Sequence, residues 1–89
     1  MSKNIEIYCS HFCGYCHRAK SLLENKGIPY QEISVDNQPE LREQMVSRSG
    51  GVTSVPQIFI DEEHIGGCDD LYALETQGLL DEKLGLTAW

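Results

Sequence analysis

The strongest constraint on this chain is a change of hydrophobic period at a pair of cysteines. Asn4 to Tyr8 alternates, with Ile5 and Ile7 two apart, as a short strand does. From Tyr15 onward Ala19, Leu22 and Leu23 share one face of a 3.6-residue period, and Gly27 with Pro29 beyond it supplies a stop. The spacing predicts a helix of about 13 residues. Cys13-Gly14-Tyr15-Cys16 sits on the junction between the two.

The rest of the chain keeps alternating between the two periods. Tyr30 to Val35 returns to a strand pattern, and a strand-helix-strand unit implies a parallel pair with a right-handed crossover. Asn37 or Gln38 before Pro39 resembles a cap followed by proline in a first helical turn, with Leu41, Met45 and Val46 on the buried face and Gly50-Gly51 at the end. Gln57 to Asp61 reads as a strand covered on both faces, since Ile58 and Ile60 point one way and Phe59 the other. A turn at Asp61 to Glu63 leads to a short strand around Ile65, which adds an antiparallel edge. Gly66-Gly67 then open a helix at Asp69 to Gln77, stopped by Gly78, and a last short helix falls near Asp81 to Leu84. The expected architecture is α/β: a four-stranded mixed sheet, βαβ then ββα, flanked by three or four helices, which is the layout of a thioredoxin-like domain.

With 89 residues, one domain over positions 1–89 is expected, near the lower size at which a single core suffices. No basic start followed by an apolar run opens the chain, and no segment approaches the roughly 20 apolar residues that span a bilayer, so the expected address is cytoplasmic. Four cysteines, three of them crowded at positions 9, 13 and 16, then point to chemistry more than to stapling. The net charge of −7 is uneven. Residues 1–35 carry four basic against three acidic side chains, and residues 36–89 three against eleven, which argues against nucleic acid or an anionic membrane as partner.

The chemistry follows from the junction. At a helix N-terminus, unpaired backbone N–H groups and the helix dipole favour a thiolate, which makes Cys13 the attacking group. Cys16, one turn inside, is near enough to form a disulfide with it and to resolve a mixed disulfide. Half a zinc site has the same spacing, but only Cys68 and three scattered histidines remain to complete one. Counting Cys9 gives C-x3-C-x2-C, the spacing of radical S-adenosylmethionine enzymes, whose barrel needs far more chain than this.

Three motifs together resemble the glutaredoxin family, in its short bacterial dithiol form: Cys13-Gly14-Tyr15-Cys16-His17-Arg18-Ala19-Lys20, Thr53-Ser54-Val55-Pro56-Gln57-Ile58-Phe59-Ile60, and Ile65-Gly66-Gly67-Cys68-Asp69-Asp70-Leu71. The resemblance covers essentially the whole chain. It implies a glutathione-disulfide oxidoreductase that reduces protein disulfides and glutathione mixed disulfides, with Cys13 as nucleophile and Cys16 resolving. Its partners would be glutathione, as co-substrate, and disulfide-containing or glutathionylated proteins, and the apo protein would be a monomer. The resemblance further implies that Tyr15, Ser54, Val55, Pro56, Gly67, Cys68 and Asp69 bind glutathione. Val55 and Pro56 would form a loop facing the nucleophile, with the proline cis and the Val55 backbone turned toward substrate. Cys68 would contribute mainly backbone. The γ-glutamyl carboxylate suits the N–H groups of the helix after Gly67, and its ammonium suits Asp69, which can serve as a helix cap as well.

Two positions depart from the family's usual pattern. Gly14 replaces a common proline, and C-G-Y-C forms are associated with a glutathione-ligated [2Fe-2S] cluster bridging two protomers through the first cysteine. The alternative is therefore a cluster carrier or redox sensor with Cys13 as ligand. Ser10 stands where relatives often carry a lysine for the glycyl carboxylate of glutathione, with His11 or Arg48 as candidate substitutes. Cys9 is expected to be a small buried residue at a strand end. His11, His17 and His64 are expected on the solvated surface, His17 being close enough to the motif to favour the Cys13 thiolate if protonated.

Overall fold

The computed structural model describes residues 3–86; Trp89, whose packing the sequence leaves open, lies outside the described residues. The first strand, β1 (Ile5–Cys9), runs through the middle of a four-stranded sheet and delivers the chain to α1 (Gly14–Asn25). There follow β2 (Gln31–Ser34), α2 (Pro39–Arg48), β3 (Gln57–Ile60), β4 (Glu63–Gly66), α3 (Cys68–Thr76) and α4 (Leu80–Lys83). Strand order is β2-β1-β3-β4. β1 pairs parallel with β2, Tyr8 opposite Ile33, and antiparallel with β3, Ile7 opposite Ile58; β3 pairs antiparallel with β4. This is the mixed sheet expected from the sequence.

Two cores lie on opposite faces of the sheet. Ile5, Ile7, Ile58 and Ile60 pack under Ala19, Leu22 and Leu23 of α1, Leu71 of α3 and Leu80 of α4. Tyr8, Phe59 and Val35 pack against Met45 of α2. The alternation expected of the first strand therefore holds only as far as Ile7: Ile7, Tyr8 and Cys9 are all buried, because a central strand with helices on both sides has no solvent face. Phe59 and the isoleucines of β3 are covered on both faces for the same reason.

The helices are not equally anchored. α1 buries Cys16, Ala19, Leu22 and Leu23, whereas α2 buries only Met45 completely. At roughly 1.5–3 kcal/mol per fully buried large apolar side chain, α1 is firmly seated and α2 needs help. Arg48 at the end of α2 supplies it. Its guanidinium donates to both carboxylate oxygens of Glu6 (2.9 and 3.3 Å) and to the Tyr8 hydroxyl (2.8 Å), and it lies 4.1 Å from the Phe59 ring centroid. The Tyr8 hydroxyl in turn donates to Gln44.

Candidate active site

Cys13 is the N-cap of α1, in extended conformation (φ −98°, ψ 114°), so its side chain stands where the helix presents unpaired N–H groups. Its own N–H donates to the Ser10 carbonyl (3.3 Å) and its carbonyl accepts from His17 (3.3 Å), which fixes the turn on both sides. Asp36, just beyond β2, clamps the approach to this turn. One of its oxygens accepts from the Ser10 hydroxyl (2.7 Å) and the other from the His11 N–H (2.7 Å). Those two donors, His11 first, hold the Asp36 carboxyl below the usual carboxylate range. His17 faces the His11 carbonyl through Nε2 (3.3 Å), and Phe12, immediately before Cys13, is exposed with its ring edge-on to His11.

The two cysteines of the pair occupy different environments. Cys13 is half-buried and Cys16 has no exposed surface. Burial pushes the Cys16 thiol up to about 12; the Ser10 backbone opposes the rise and the Cys13 thiol adds to it. Cys9 behaves as the small buried residue expected at a strand end. Its thiol donates to Glu32 (3.3 Å), which also pairs with Lys20 (3.1 Å), and burial followed by Glu32 pushes it too up to about 12. All four cysteines are free thiols, and burial raises Cys68 as well.

Opposite Cys13 stands the loop before β3. The Val55–Pro56 peptide is cis, and the Val55 carbonyl lies 3.7 Å from Cys13 Sγ. Beyond it runs a groove of about 380 Å³ that brings together Tyr15, Ser54, Val55, Pro56, Gly67, Cys68 and Asp69, every position that the resemblance marks for glutathione. The two glycines at its far side have separate reasons. Gly66 has φ +120°, and a Cβ there would collide with the Asp70 carboxylate; a Cβ on Gly67 would press on the Pro56 carbonyl at 3.3 Å. The helix cap is not Asp69. Asp70 Oδ2 accepts from the Gly67 N–H (3.0 Å), which leaves the Asp69 carboxylate exposed at the start of α3.

Some groove residues were not marked for glutathione by the sequence reading: Val52, Gln57 and His64 also line it. The only local signal was Gln57, a polar residue opening an otherwise apolar strand. His64, expected on the surface, is half-buried and bonded to Gln57. Arg48, considered as a substitute for the missing lysine, is committed to Glu6 and Tyr8. The cation beside the active-site loop is Arg42, exposed on α2, with Nη1 donating to the Thr53 carbonyl (3.3 Å). Among the described residues no cluster of three or more His, Cys, Asp or Glu side chains is arranged to hold a metal ion, and no helix is long and apolar enough to cross a membrane.

The glutaredoxin family profile matches residues 5–65. The chain is 58% identical over 81 residues to Glutaredoxin 3 of Escherichia coli strain K12, covering 91% of this chain and 96% of that protein. The solution structure of a glutaredoxin from Brucella melitensis superposes with a TM-score of 0.83 at 49% identity, over 96% of this chain and 91% of that one. A buckwheat glutaredoxin in complex with glutathione superposes at 0.85 with 30% identity, over 93% of this chain and 77% of that one. The fold is thus the thioredoxin-like one expected from the order of elements.

Proposed function

The chain belongs to the glutaredoxin family, a family of thiol-disulfide oxidoreductases, and from that premise we propose that it reduces glutathione mixed disulfides and protein disulfides at the expense of glutathione. The observation that carries the reading is the inequality of Cys13 and Cys16: one half-buried thiol at a helix N-terminus beside a groove, the other fully buried one turn behind it.

In the monothiol route the Cys13 thiolate attacks the glutathione sulfur of a mixed disulfide. The protein thiolate leaves and takes a proton, and Cys13 is left joined to glutathione. A second glutathione thiolate attacks the glutathionyl sulfur, releasing glutathione disulfide and restoring Cys13. In the dithiol route Cys13 opens a protein disulfide and Cys16, giving up its proton, attacks the Cys13 sulfur. The substrate leaves as a dithiol, and two glutathiones reduce the resulting Cys13–Cys16 disulfide. Burial holds the proton on Cys16, so Cys16 has to lose it as it attacks.

The groove suits glutathione end to end. N–H groups at the start of α3 would take the γ-glutamyl carboxylate and Asp69 its ammonium. The Ser54 and Val55 backbone would pair with its peptide groups, Tyr15 would flank it, and Arg42 would meet the glycyl carboxylate in place of a lysine at position 10. The complex of the buckwheat relative with glutathione supports this ligand. The protein would act as a monomeric single domain in the cytoplasm, where the glutathione pool is reducing. A coupled assay with a glutathionylated peptide, glutathione and glutathione reductase tests the reading: it expects glutathione-dependent turnover, and absence of turnover refutes it.

A second reading is favoured by Gly14. Nothing lies within 4 Å of where its Cβ would be, so the turn between the cysteines is open to a second molecule. Cys9, Cys16 and Cys68 are buried, which leaves Cys13 as the one thiolate each chain could offer. A [2Fe-2S] cluster needs four ligands and would therefore be shared by two protomers and two glutathione thiolates. Anaerobic reconstitution with iron, sulfide and glutathione would then give visible absorption and a dimer on gel filtration; a colourless monomer removes this reading.

A further inference from the structure

Two polar side chains in the groove have no part in the thiol chemistry. Gln57 opens β3 and is 3% exposed, in a strand otherwise made of Ile58, Phe59 and Ile60. A buried amide is costly unless its groups are paired, and both are. Nε2 donates to the Ser54 carbonyl at 3.0 Å, and Oε1 lies 2.6 Å from Nε2 of His64 on β4. With the amide nitrogen turned to a carbonyl, the amide oxygen can only accept, so His64 carries its proton on Nε2 and donates.

The geometry of the sheet builds this chain of contacts. Gln57 and Phe59, two residues apart, share a sheet face, and His64 pairs opposite Phe59 with ring centroids 5.1 Å apart. A register shift between Ile58 and Phe59 lies between that pairing and Gln57, the first residue of the strand. Phe59 is fully buried in the core, so the contacts Phe59, His64, Gln57, Ser54 run from a fixed point to a loop residue. They end one residue before Val55, whose carbonyl faces Cys13 Sγ at 3.7 Å.

We propose that Gln57 and His64 are positioning residues that hold the Ser54–Val55 backbone at the height where it pairs with the glutathionyl group of the substrate. The inference rests on the glutathione reading of the groove. It assigns to this pair a share of substrate binding, and none of the bond-breaking step.

Three variants separate positioning from direct contact and from plain structure. Gln57→Glu keeps an acceptor for His64 but sets a carboxylate oxygen against the Ser54 carbonyl. His64→Leu removes the donor at similar volume, and His64→Gln restores an N–H near the place of Nε2. In steady state with a glutathionylated peptide, KM is expected to rise about five- to tenfold in Gln57→Glu and His64→Leu with kcat held within about twofold, and to return to within about twofold of the parent in His64→Gln. Amide hydrogen exchange of Val55, measured without glutathione, should quicken in the first two variants alone. An unchanged KM in Gln57→Glu overturns the proposal, as does an equal rise in His64→Leu and His64→Gln. A rise in His64→Leu alone would mean that His64 touches the substrate directly, which also overturns it. No glutathione-dependent turnover by the parent protein would fall on the glutathione reading and take this inference with it; turnover with KM unmoved in the variants would fall on the inference alone.

Discussion

Cys13 Sγ and the carbonyl oxygen of Val55 face each other at 3.7 Å across the gap between the N-terminus of α1 and the loop before β3. As a thiol, Cys13 can donate to that carbonyl. As a thiolate it has no proton to give, and two electron-rich atoms oppose each other, so the sulfur is better served by the N–H groups at the helix start. On the proposed function, ionisation of Cys13 would therefore free the Val55 carbonyl to accept from a substrate peptide. Attack and substrate pairing would then be linked through a contact between residues 42 positions apart.

The alkaline side of the stability profile should report the buried thiols. Burial pushes Cys9 and Cys16 from the ordinary value of 9.0 up to about 12. The folded chain thus holds these protons more tightly than the unfolded chain. Their contribution to stability is complete below about pH 9 and is lost as pH rises toward 12. Melting temperatures of the reduced protein are expected to fall across that window, and less steeply in Cys9→Ala, which removes one of the buried thiols. Identical slopes in the parent and the variant would show that the buried Cys9 thiol is not a source of the fall.

Arg48 and Arg42, six residues apart on α2, should separate stability from binding. Arg48→Ala strips the ion pair from Glu6, whose side chain is 15% exposed, together with the Tyr8 hydrogen bond and the contact with Phe59. A loss of about 2–4 kcal/mol is expected in urea unfolding, with KM for glutathione unchanged. Arg42→Ala, on an exposed side chain, should shift stability by about 0.5 kcal/mol or less and raise KM for glutathione about fivefold. The opposite pattern would move the carboxylate-binding role back to Arg48.

Gly14→Pro should stabilise the protein. Cys13 already has the extended backbone that a residue before proline requires, and Gly14 is the first residue of α1, where the N–H that proline lacks has no partner within the helix. No atom lies within 4 Å of the missing Cβ. Reduced freedom of the unfolded chain is then worth about 0.4–1 kcal/mol, a rise in Tm of roughly 2–8 °C. A lower Tm would mean that the turn needs a conformation proline cannot take.

The sequence disclosed what depends on local pattern. The period change at Cys13 and Cys16 located the strand-helix junction, and Gly27, Gly50 and Gly78 marked the ends of helices to within two or three residues. Partners across the sheet leave no such trace. Arg48 looks like any basic residue in a last helical turn until α2 is laid over β1 and its guanidinium meets Glu6 and Tyr8. Asp69 and Asp70 are equivalent as letters, and only the turn at Gly66-Gly67 decides that Asp70 closes the helix and Asp69 stays free. The clamp of Asp36 on Ser10 and His11 joins segments 25 or 26 residues apart for which no periodicity speaks. The groove could be outlined from motif positions, but its polar support at Gln57 and His64 depends on a strand register that those motifs do not contain.

The division of labour between the two cysteines is tested most directly by comparing Cys13→Ser and Cys16→Ser for glutathione-dependent reduction of a glutathionylated peptide. If Cys13 is the nucleophile and Cys16 serves only the dithiol route, Cys13→Ser lowers turnover about a thousandfold or more, while Cys16→Ser stays within about threefold of the parent. Equal losses in the two variants would contradict the assignment.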